Sequence, residues 1–316
     1  MAFTVDPEFI QAVGKFSALI SSVEPIPPGD ALTRRKVGER VLRAVFDTHS
    51  MPNDILMENI FIRTSDESSL LLRWYHKKDS NPGSAIVYIH GGGLIFNNVE
   101  IYDKPVSKFV SDSGVPFLSV DYRKAPEHPY PTPVKDCYAA LIWLVEHAES
   151  MGIDPARIAI MGDSAGGGLA AAIAIKCRDN GGPALAKQIL NYPMLDDRTT
   201  SSNPILEPFV IWSPDDNLTA WQAYLGSAAG TKSVSPYAAA AHLKDASGLP
   251  PAYIDVGELD IFRDEDIRYA QLLADAGVST ELHVHPGVIH SWELFAPEIA
   301  VSQRAHRDRI RAIQSI

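Results

Sequence analysis

The sequence has few cysteines and no excess of positive charge, and both shortages limit what it can encode. Among 316 residues there are two cysteines, Cys137 and Cys177, without the paired spacing of metal sites or disulfide frameworks. Lysine and arginine number 28 against 39 aspartates and glutamates, a formal charge of −11. This charge has the wrong sign for a protein that holds a nucleic acid on a basic surface. We therefore expect no metal, no disulfide and no nucleic-acid partner.

Long apolar segments are also missing. No run approaches the roughly 18 to 20 apolar residues that a membrane-spanning helix needs. The first residues include Asp6, Glu8 and Lys15 and contain no apolar block of about seven residues or more, so they do not resemble a secretory signal. These features predict a soluble, cytoplasmic protein without a membrane span.

From about residue 60, short β-rich runs such as 85–89 and 158–161 alternate with helical runs. This alternation is typical of a mostly parallel sheet with helices on both faces. Two regions interrupt it, and in open α/β sheets such insertions cover the ligand site at the carboxyl ends of the strands. The sequence therefore predicts an α/β fold with N-terminal cap helices in residues 1–48. The catalytic domain would span 49–316 and carry a cap insertion at about 193–225.

Residues 162–166 (GDSAG) match the pattern G-x-S-x-G and lie between a predicted strand and a helical run rich in glycine and alanine. A serine on such a sharp strand-to-helix turn holds its Oγ above the sheet, and the flanking glycines let neighbouring backbone pass closely. The first amides of the following helix point towards any developing anion. Ser164 is therefore the predicted nucleophile.

A glycine-rich loop at residues 90–93 (HGGG) follows the strand 85–89 at its carboxyl end. In hydrolases with a nucleophile of this kind, a loop in this place supplies part of the oxyanion hole. A phosphate-binding loop is the competing interpretation, but neither G-K-[ST] nor G-x-G-x-x-G with a downstream acid is present. We interpret His90 as a structural histidine whose ring holds the loop.

A serine nucleophile needs a histidine base and an acid that orients it, here expected in the order serine, acid, histidine. His290 lies after the predicted strand 281–284 and is the favoured base. Asp260 lies after the predicted strand 252–256 and is the favoured acid, with Asp264 as the second candidate. Because both loops follow the carboxyl ends of strands, their side chains can converge on the serine.

Five motifs occur in a fixed order: HGGG at 90–93, DYRKAPEHP at 121–129, GDSAGG at 162–167, DIFRD at 260–264 and IH at 289–290. Together they resemble the hormone-sensitive lipase family of α/β-hydrolase esterases, from about residue 85 to the C-terminus. The resemblance implies the α/β-hydrolase fold with a helical cap and a carboxylesterase activity.

The same resemblance implies specific roles for several residues. It assigns Ser164 as nucleophile, His290 as base and Asp260 as orienting acid. It assigns the oxyanion hole to the amides of Gly92, Gly93 and Ala165.

In this family the cap shapes the acyl pocket, which leads to a prediction for the pocket of this chain. The residues predicted to line it are Leu94, Phe209, Trp212 and Trp221. An aromatic cluster in a cap also arises from packing alone. Phe262 and Trp292 stand where the family usually has leucine and phenylalanine, which leaves the shape of the pocket open.

The expected activity is hydrolysis of short- to medium-chain carboxylic esters of small molecules through an acyl-enzyme, without any cofactor. An amidase, a lactonase or an acyltransferase would use the same residues. A non-catalytic ligand receptor of the same fold is the other alternative, but it would have no reason to keep nucleophile, acid, base and oxyanion glycines together.

A predicted edge strand near residues 281–285 also suggests a homodimer.

Overall fold

The computed structural model describes residues 3–201 and 204–316. Within these ranges the strands are β1 (Ile55–Arg63), β2 (Ser69–Lys77), β3 (Ala85–Ile89), β4 (Phe117–Val120), β5 (Ile158–Asp163), β6 (Gln188–Asn191), β7 (Ala252–Gly257) and β8 (Thr280–His285). The α-helices are α1 (Pro7–Val13), α2 (Ser17–Ser21), α3 (Ala31–Asp47), α4 (Asp103–Ser113), α5 (Thr132–His147), α6 (Ala165–Asp179), α7 (Pro214–Leu225), α8 (Arg263–Asp275), α9 (Trp292–Phe295) and α10 (Ala300–Gln314). Short 3₁₀ helices span Gly14–Phe16, Glu149–Met151, Pro155–Arg157, Gly226–Ala228 and Ala240–His242.

The predicted cap regions extend slightly beyond what the structure describes. Met1 and Ala2 of the N-terminal region, and Ser202 and Asn203 of the insertion, lie outside the described residues.

The strands form one sheet in the order β1-β2-β4-β3-β5-β6-β7-β8. β2 runs antiparallel to β1 and β4, whereas the neighbours from β4 to β8 are parallel. In this register Ile89 lies opposite Gly162, and Gly257 lies opposite His285. The strands that precede the glycine-rich loop, the serine, the acid and the histidine therefore end at the same edge of the sheet.

Both faces of the sheet are covered, as the continuous apolar runs of the central strands require. Along β3, Val87 and Ile89 belong to a core with residues of α5 and α6. Ile86 and Tyr88 belong to a second core with residues of α4 and α10. This alternation is the two-residue period of a strand. The predicted α/β fold, a mostly parallel sheet between two helical layers, is confirmed.

The insertion between β6 and β7 contains α7 and no strand among its described residues. α7 starts at a capping box, in which Ser213 and Asp216 exchange backbone and side-chain hydrogen bonds. Arg34 of α3 donates from Nε to Asp216 Oδ1 at 2.6 Å and from a second nitrogen to the carbonyl of Pro27 at 2.7 Å. The Arg34 side chain is buried. Its hydrogen bond to Asp216 joins the N-terminal cap region to the cap insertion.

None of the helices in the described part of the chain combines the length and the apolar character that crossing a bilayer requires.

Candidate active site

Ser164 stands on a strained turn between β5 and α6. Its backbone has φ 54° and ψ −119°, a region that residues with a side chain rarely adopt. Gly162 and Gly166 make the turn possible, because a Cβ on Gly162 would lie 2.3 Å from the Gly166 backbone. One on Gly166 would lie 2.0 Å from the Ile89 carbonyl oxygen.

The structure brings Ser164, His290 and Asp260 together in one hydrogen-bonded chain. His290 Nε2 lies 2.9 Å from Ser164 Oγ, and His290 Nδ1 lies 2.7 Å from Asp260 Oδ2. Asp260 is fully buried, and the two other side chains are almost so. This geometry gives the histidine one tautomer, with its proton on Nδ1 directed to the carboxylate and Nε2 free to accept from the serine.

Local contacts hold Asp260 and His290 in this arrangement. The Phe262 amide donates to Asp260 Oδ1 at 2.9 Å, which leaves Oδ2 for His290. The His290 ring packs edge-to-face between Tyr192 and Phe262, with centroids 4.9 and 5.1 Å away. The second candidate acid, Asp264, has a side chain that is 43% exposed and pairs with the neighbouring Arg263, so this alternative is wrong for the histidine contact.

The backbone of the glycine-rich loop has an unusual conformation. Gly92, Gly93 and Leu94 all have positive φ, at 126°, 53° and 66°, and a Cβ on Gly92 would lie 2.3 Å from the Phe96 carbonyl oxygen. No acceptor for the amide of Gly92, Gly93 or Ala165 lies among residues 3–201 and 204–316. These amides are therefore available for an anion beside Ser164.

His90 lies below this loop and is completely buried. Its ring stacks on Tyr122 with centroids 4.4 Å apart, and Nδ1 lies 2.8 Å from the Gly91 carbonyl oxygen. Burial lowers the pKa of His90 to about 3, so the ring is neutral and donates to that carbonyl. Asn97 reaches the same carbonyl from Nδ2 at 3.1 Å. Sequence patterns do not single out Asn97, because one asparagine in a turn is a common feature.

A cavity of about 570 Å³ opens over the serine and the histidine. Its lining is mostly apolar and comes from α1, α3 and the segment before α7, and it includes Phe209 and Trp212. The Trp212 ring lies directly against Gly93, where a Cβ would be 2.4 Å away. Leu94 and Trp221, also predicted for the pocket, are only 3% and 2% exposed and belong to the main core instead. Neither side chain is among the residues that line the cavity, so the structure contradicts the pocket prediction for these two.

Comparisons with known proteins find relatives in sequence and in fold. The profile of a family described as alpha/beta hydrolase fold matches residues 86–294. The chain is 40% identical over 227 residues to Carboxylesterase NlhH from Mycobacterium tuberculosis, which covers 70% of each chain. It is 35% identical over 245 residues to Esterase LipI from the same organism, covering 75% of this chain and 74% of that one. A solved structure described as bacterial heroin esterase superposes with a TM-score of 0.87 at 34% identity, covering 99% of this chain and 98% of the other.

The chain belongs to the hormone-sensitive lipase family of α/β-hydrolase carboxylesterases. The family predicted from the ordered motifs is confirmed, and with it the class of carboxylic ester hydrolases.

In this member of the family, a buried polar network lies behind the serine and the histidine. Asp163 accepts from the hydroxyl of Tyr88 and from Asn191 Nδ2, and burial raises its pKa to about 6. Next to it, Arg309 of α10 is almost completely buried and donates to both oxygens of Asp255, at 2.7 and 2.9 Å. A third guanidinium bond, of 2.6 Å, goes to Glu293. Such a network ties the last helix to the strands below the active site.

The first residues of the insertion are held by Glu265 of α8. Its Oε1 accepts from the amides of Leu195 and Asp196 at 2.7 and 3.1 Å, and its Oε2 hydrogen-bonds the hydroxyl of Thr199. Burial raises the pKa of Glu265 to about 8. A neutral carboxyl suits these contacts, because its carbonyl oxygen accepts both amides while its O–H faces the threonine.

One group of described residues has donor atoms close enough for a cation, namely Asp196, Asp197 and His242, within 4.8 Å of one another. Their oxygens already have protein partners. His242 Nε2 lies 2.6 Å from Asp197 Oδ1, the Gly230 amide donates to Asp197 Oδ2, and Arg198 binds Asp196. Because the group is satisfied internally and does not line the cavity above Ser164, we assign it a structural role.

Proposed function

We propose that the protein hydrolyses short- to medium-chain carboxylic esters through an acyl-enzyme on Ser164, with His290 as base and Asp260 as orienting acid. The observation that carries this proposal is the hydrogen-bonded chain from Asp260 through His290 to Ser164, next to three amides that have no acceptor within the described part of the chain. In the proposed first step, His290 Nε2 takes the Ser164 proton while Oγ attacks the ester carbonyl carbon.

The carbonyl oxygen then carries a full negative charge, which the amides of Gly92, Gly93 and Ala165 would stabilise. Collapse of the tetrahedral intermediate breaks the bond to the alcohol oxygen, and the alcohol leaves with the proton held on His290 Nε2. Water gives its proton to the same nitrogen as it attacks the acyl-enzyme, and the carboxylic acid leaves with Ser164 restored. Asp260 stays ionised and stabilises the imidazolium in both halves of the cycle.

We further propose that residues 1–48 and 193–225 act as the cap that shapes the acyl pocket. The supporting observation is that both regions supply apolar side chains to the cavity, such as Val13, Val41 and Trp212. The charged pair in the lining, Arg34 and Asp216, is internally neutralised. An apolar cavity of about 570 Å³ suits an uncharged acyl group of short or medium length.

An amidase, a lactonase or an acyltransferase would use the same triad and differs in the leaving group and in the access of water. A non-catalytic receptor is disfavoured because serine, histidine and aspartate are all in hydrogen-bonding positions.

Hydrolysis of p-nitrophenyl esters from acetate to palmitate tests the proposal. We expect the wild type to turn over the shorter chains, and Ser164→Ala and His290→Ala to fall close to background. Ser150→Ala and His147→Ala, which change the same residue types at exposed positions, should keep wild-type rates. A wild type that is inert on every ester, or a Ser164→Ala variant with its rate intact, would overturn the proposal.

The homodimer also stays a proposal, and the observation that supports it is the place of β8 at one edge of the sheet. Pairing of two β8 strands would cover Val284, an exposed apolar residue of that strand. Light scattering should then give a dimer for the wild type and a monomer for Val284→Lys, and a monomeric wild type would contradict it. The cytoplasmic location stays a prediction.

A further inference from the structure

We propose that Asn97 is a positioning residue that sets the direction of the Gly92 amide in the oxyanion hole. This inference rests on the proposed function, because it assigns a task within the hole that the function requires.

Asn97 is completely buried and lines the cavity above Ser164. Its side-chain Nδ2 donates to the Gly91 carbonyl oxygen at 3.1 Å, and its backbone amide donates to Glu39 at 3.1 Å. The side-chain Oδ1 has no hydrogen-bond partner among the described residues. The amide group is therefore oriented by its one bond to Gly91, since the reverse orientation would set Oδ1 against a carbonyl oxygen.

The bond to Gly91 determines where the Gly92 amide points. In a trans peptide the carbonyl and the N–H of the same plane point in opposite directions. The Gly91–Gly92 bond is such a peptide, and its carbonyl is held by two donors, Asn97 Nδ2 and His90 Nδ1. Holding the carbonyl on one side directs the Gly92 N–H to the other side, where it has no acceptor in the described chain.

Glycine backbone needs this external support. Gly92 has φ 126° and Gly93 has φ 53°, and without side chains these residues rotate more freely than any others. A donor amide that can rotate loses much of its value, because stabilisation of an oxyanion depends on dipoles that are already in place.

The turn at Asn97 does not itself require a side chain. Its φ is 72°, which glycine adopts without cost and which asparagine adopts more readily than most residues with a side chain. Glycine would also keep the backbone bond to Glu39. What only the side chain supplies is the hydrogen bond to Gly91.

Two variants of Asn97 and one matched variant of its neighbour test the inference. Asn97→Gly removes the donor and eases the backbone. Asn97→Asp turns the donor into a carboxyl group that donates only when it is protonated. Asn98→Asp makes the same chemical change in the same loop, where the side chain instead accepts from the Ile101 amide at 2.9 Å and can keep doing so.

The readouts are kcat and KM for p-nitrophenyl butyrate, and Ki for an alkyl trifluoromethyl ketone, whose reversible serine adduct places an oxyanion in the hole. For Asn97→Gly we expect kcat to fall about tenfold, less than the roughly 10²- to 10³-fold loss of a complete oxyanion donor. KM should stay within about twofold and Ki should rise by the same factor as kcat falls. If Asn97 only stabilised the fold, kcat and Ki would not change by the same factor.

The Asp variants add a pH test. The rate of Asn97→Asp relative to wild type should fall as pH rises, because ionisation removes the donor to Gly91. The relative rate of Asn98→Asp should not change with pH. If the wild type is active but Asn97→Gly keeps the wild-type kcat and Ki, the inference is refuted and the proposed function stands. The same holds if the relative rate of Asn97→Asp does not depend on pH. A wild type that neither hydrolyses esters nor binds the ketone refutes the proposed function, and the inference with it.

Discussion

Replacing Asp260 by asparagine should move the proton of the His290 ring from Nδ1 to Nε2. In the wild type, Asp260 Oδ1 accepts the Phe262 amide at 2.9 Å, and Oδ2 lies 2.7 Å from His290 Nδ1. The asparagine keeps the first bond only when its carbonyl oxygen takes the Oδ1 position, which places its NH₂ group against Nδ1. The NH₂ group can only donate a hydrogen bond. The histidine therefore accepts it at an unprotonated Nδ1 and carries its proton on Nε2.

A protonated Nε2 cannot accept the proton of Ser164, although the side chains keep their positions. We expect kcat to fall about 10⁴-fold, as in other triads that lose the correct tautomer, which corresponds to about 5.4 kcal/mol of activation free energy. KM should change little, because Asp260 does not line the cavity. Steady-state hydrolysis of p-nitrophenyl butyrate measures both constants.

The neighbouring carboxylate provides the control. Asp264→Asn makes the same chemical change at an exposed side chain that pairs with Arg263, and its kcat should stay within about twofold of the wild-type value. An Asp260→Asn variant that keeps more than about a tenth of wild-type kcat, or an equal loss in Asp264→Asn, would refute the reasoning about the tautomer.

Three further predictions concern the loop, the buried network and the insertion. Gly93→Ala, whose methyl group would lie 2.4 Å from Trp212, should lower kcat about 10²-fold, and adding Trp212→Ala should restore part of the rate. Arg309→Met leaves the buried Asp255 and the partly buried Glu293 without their arginine and should lower the free energy of unfolding in urea by about 3 to 5 kcal/mol. The pKa of Glu265 is raised to about 8, so the native state holds its proton more tightly than the unfolded chain. This contribution to the free energy of unfolding is present in full below the ordinary pKa of a glutamate and is lost as the pH rises through about 8. The total loss is on the order of a few kcal/mol. Glu265→Gln, which stays neutral, should show a smaller loss of stability between about pH 6 and pH 9 in urea titrations.

Each of these predictions has an outcome that contradicts it. A double variant at Gly93 and Trp212 no faster than Gly93→Ala alone would show that the tryptophan contact is not the cause. Arg311, on the same helix as Arg309, is 57% exposed and pairs with Glu281. Arg311→Met should therefore lower the free energy of unfolding by no more than about 1 kcal/mol. Equal losses for the two arginine variants would contradict the role of burial. For Glu265, parallel pH profiles of stability in wild type and variant would contradict the raised pKa.

Short motifs carry the candidate reacting groups, so sequence patterns predict which side chains the fold brings together. Ser164 and the loop around Gly92 lie where a strand ends and glycines are required by close backbone contacts, and these requirements are visible in a few consecutive residues. The residues alone leave Asp264 as a second candidate beside Asp260. The choice depends on which carboxylate faces His290, and in the structure this is Asp260, whose other oxygen accepts from the Phe262 amide.

The pocket and the supporting contacts are less predictable for a physical reason. Leu94 and Trp221 are apolar residues near the site, but the direction of each side chain, towards the core, is set by the packing of whole elements. Arg309 is one arginine among several on α10, and its burial against Asp255 depends on the sheet behind it. Asn97 is recognisable only once its bond to Gly91 is known.

The central claim is that Ser164 is the nucleophile, and covalent labelling tests it most directly. The protein would be treated with diethyl p-nitrophenyl phosphate, the released nitrophenol counted, and the modified peptide located by mass spectrometry. The proposed mechanism predicts one nitrophenol per chain, the phosphoryl group on Ser164, and neither product from Ser164→Ala. Labelling of another residue, or an equal release from Ser164→Ala, would contradict it.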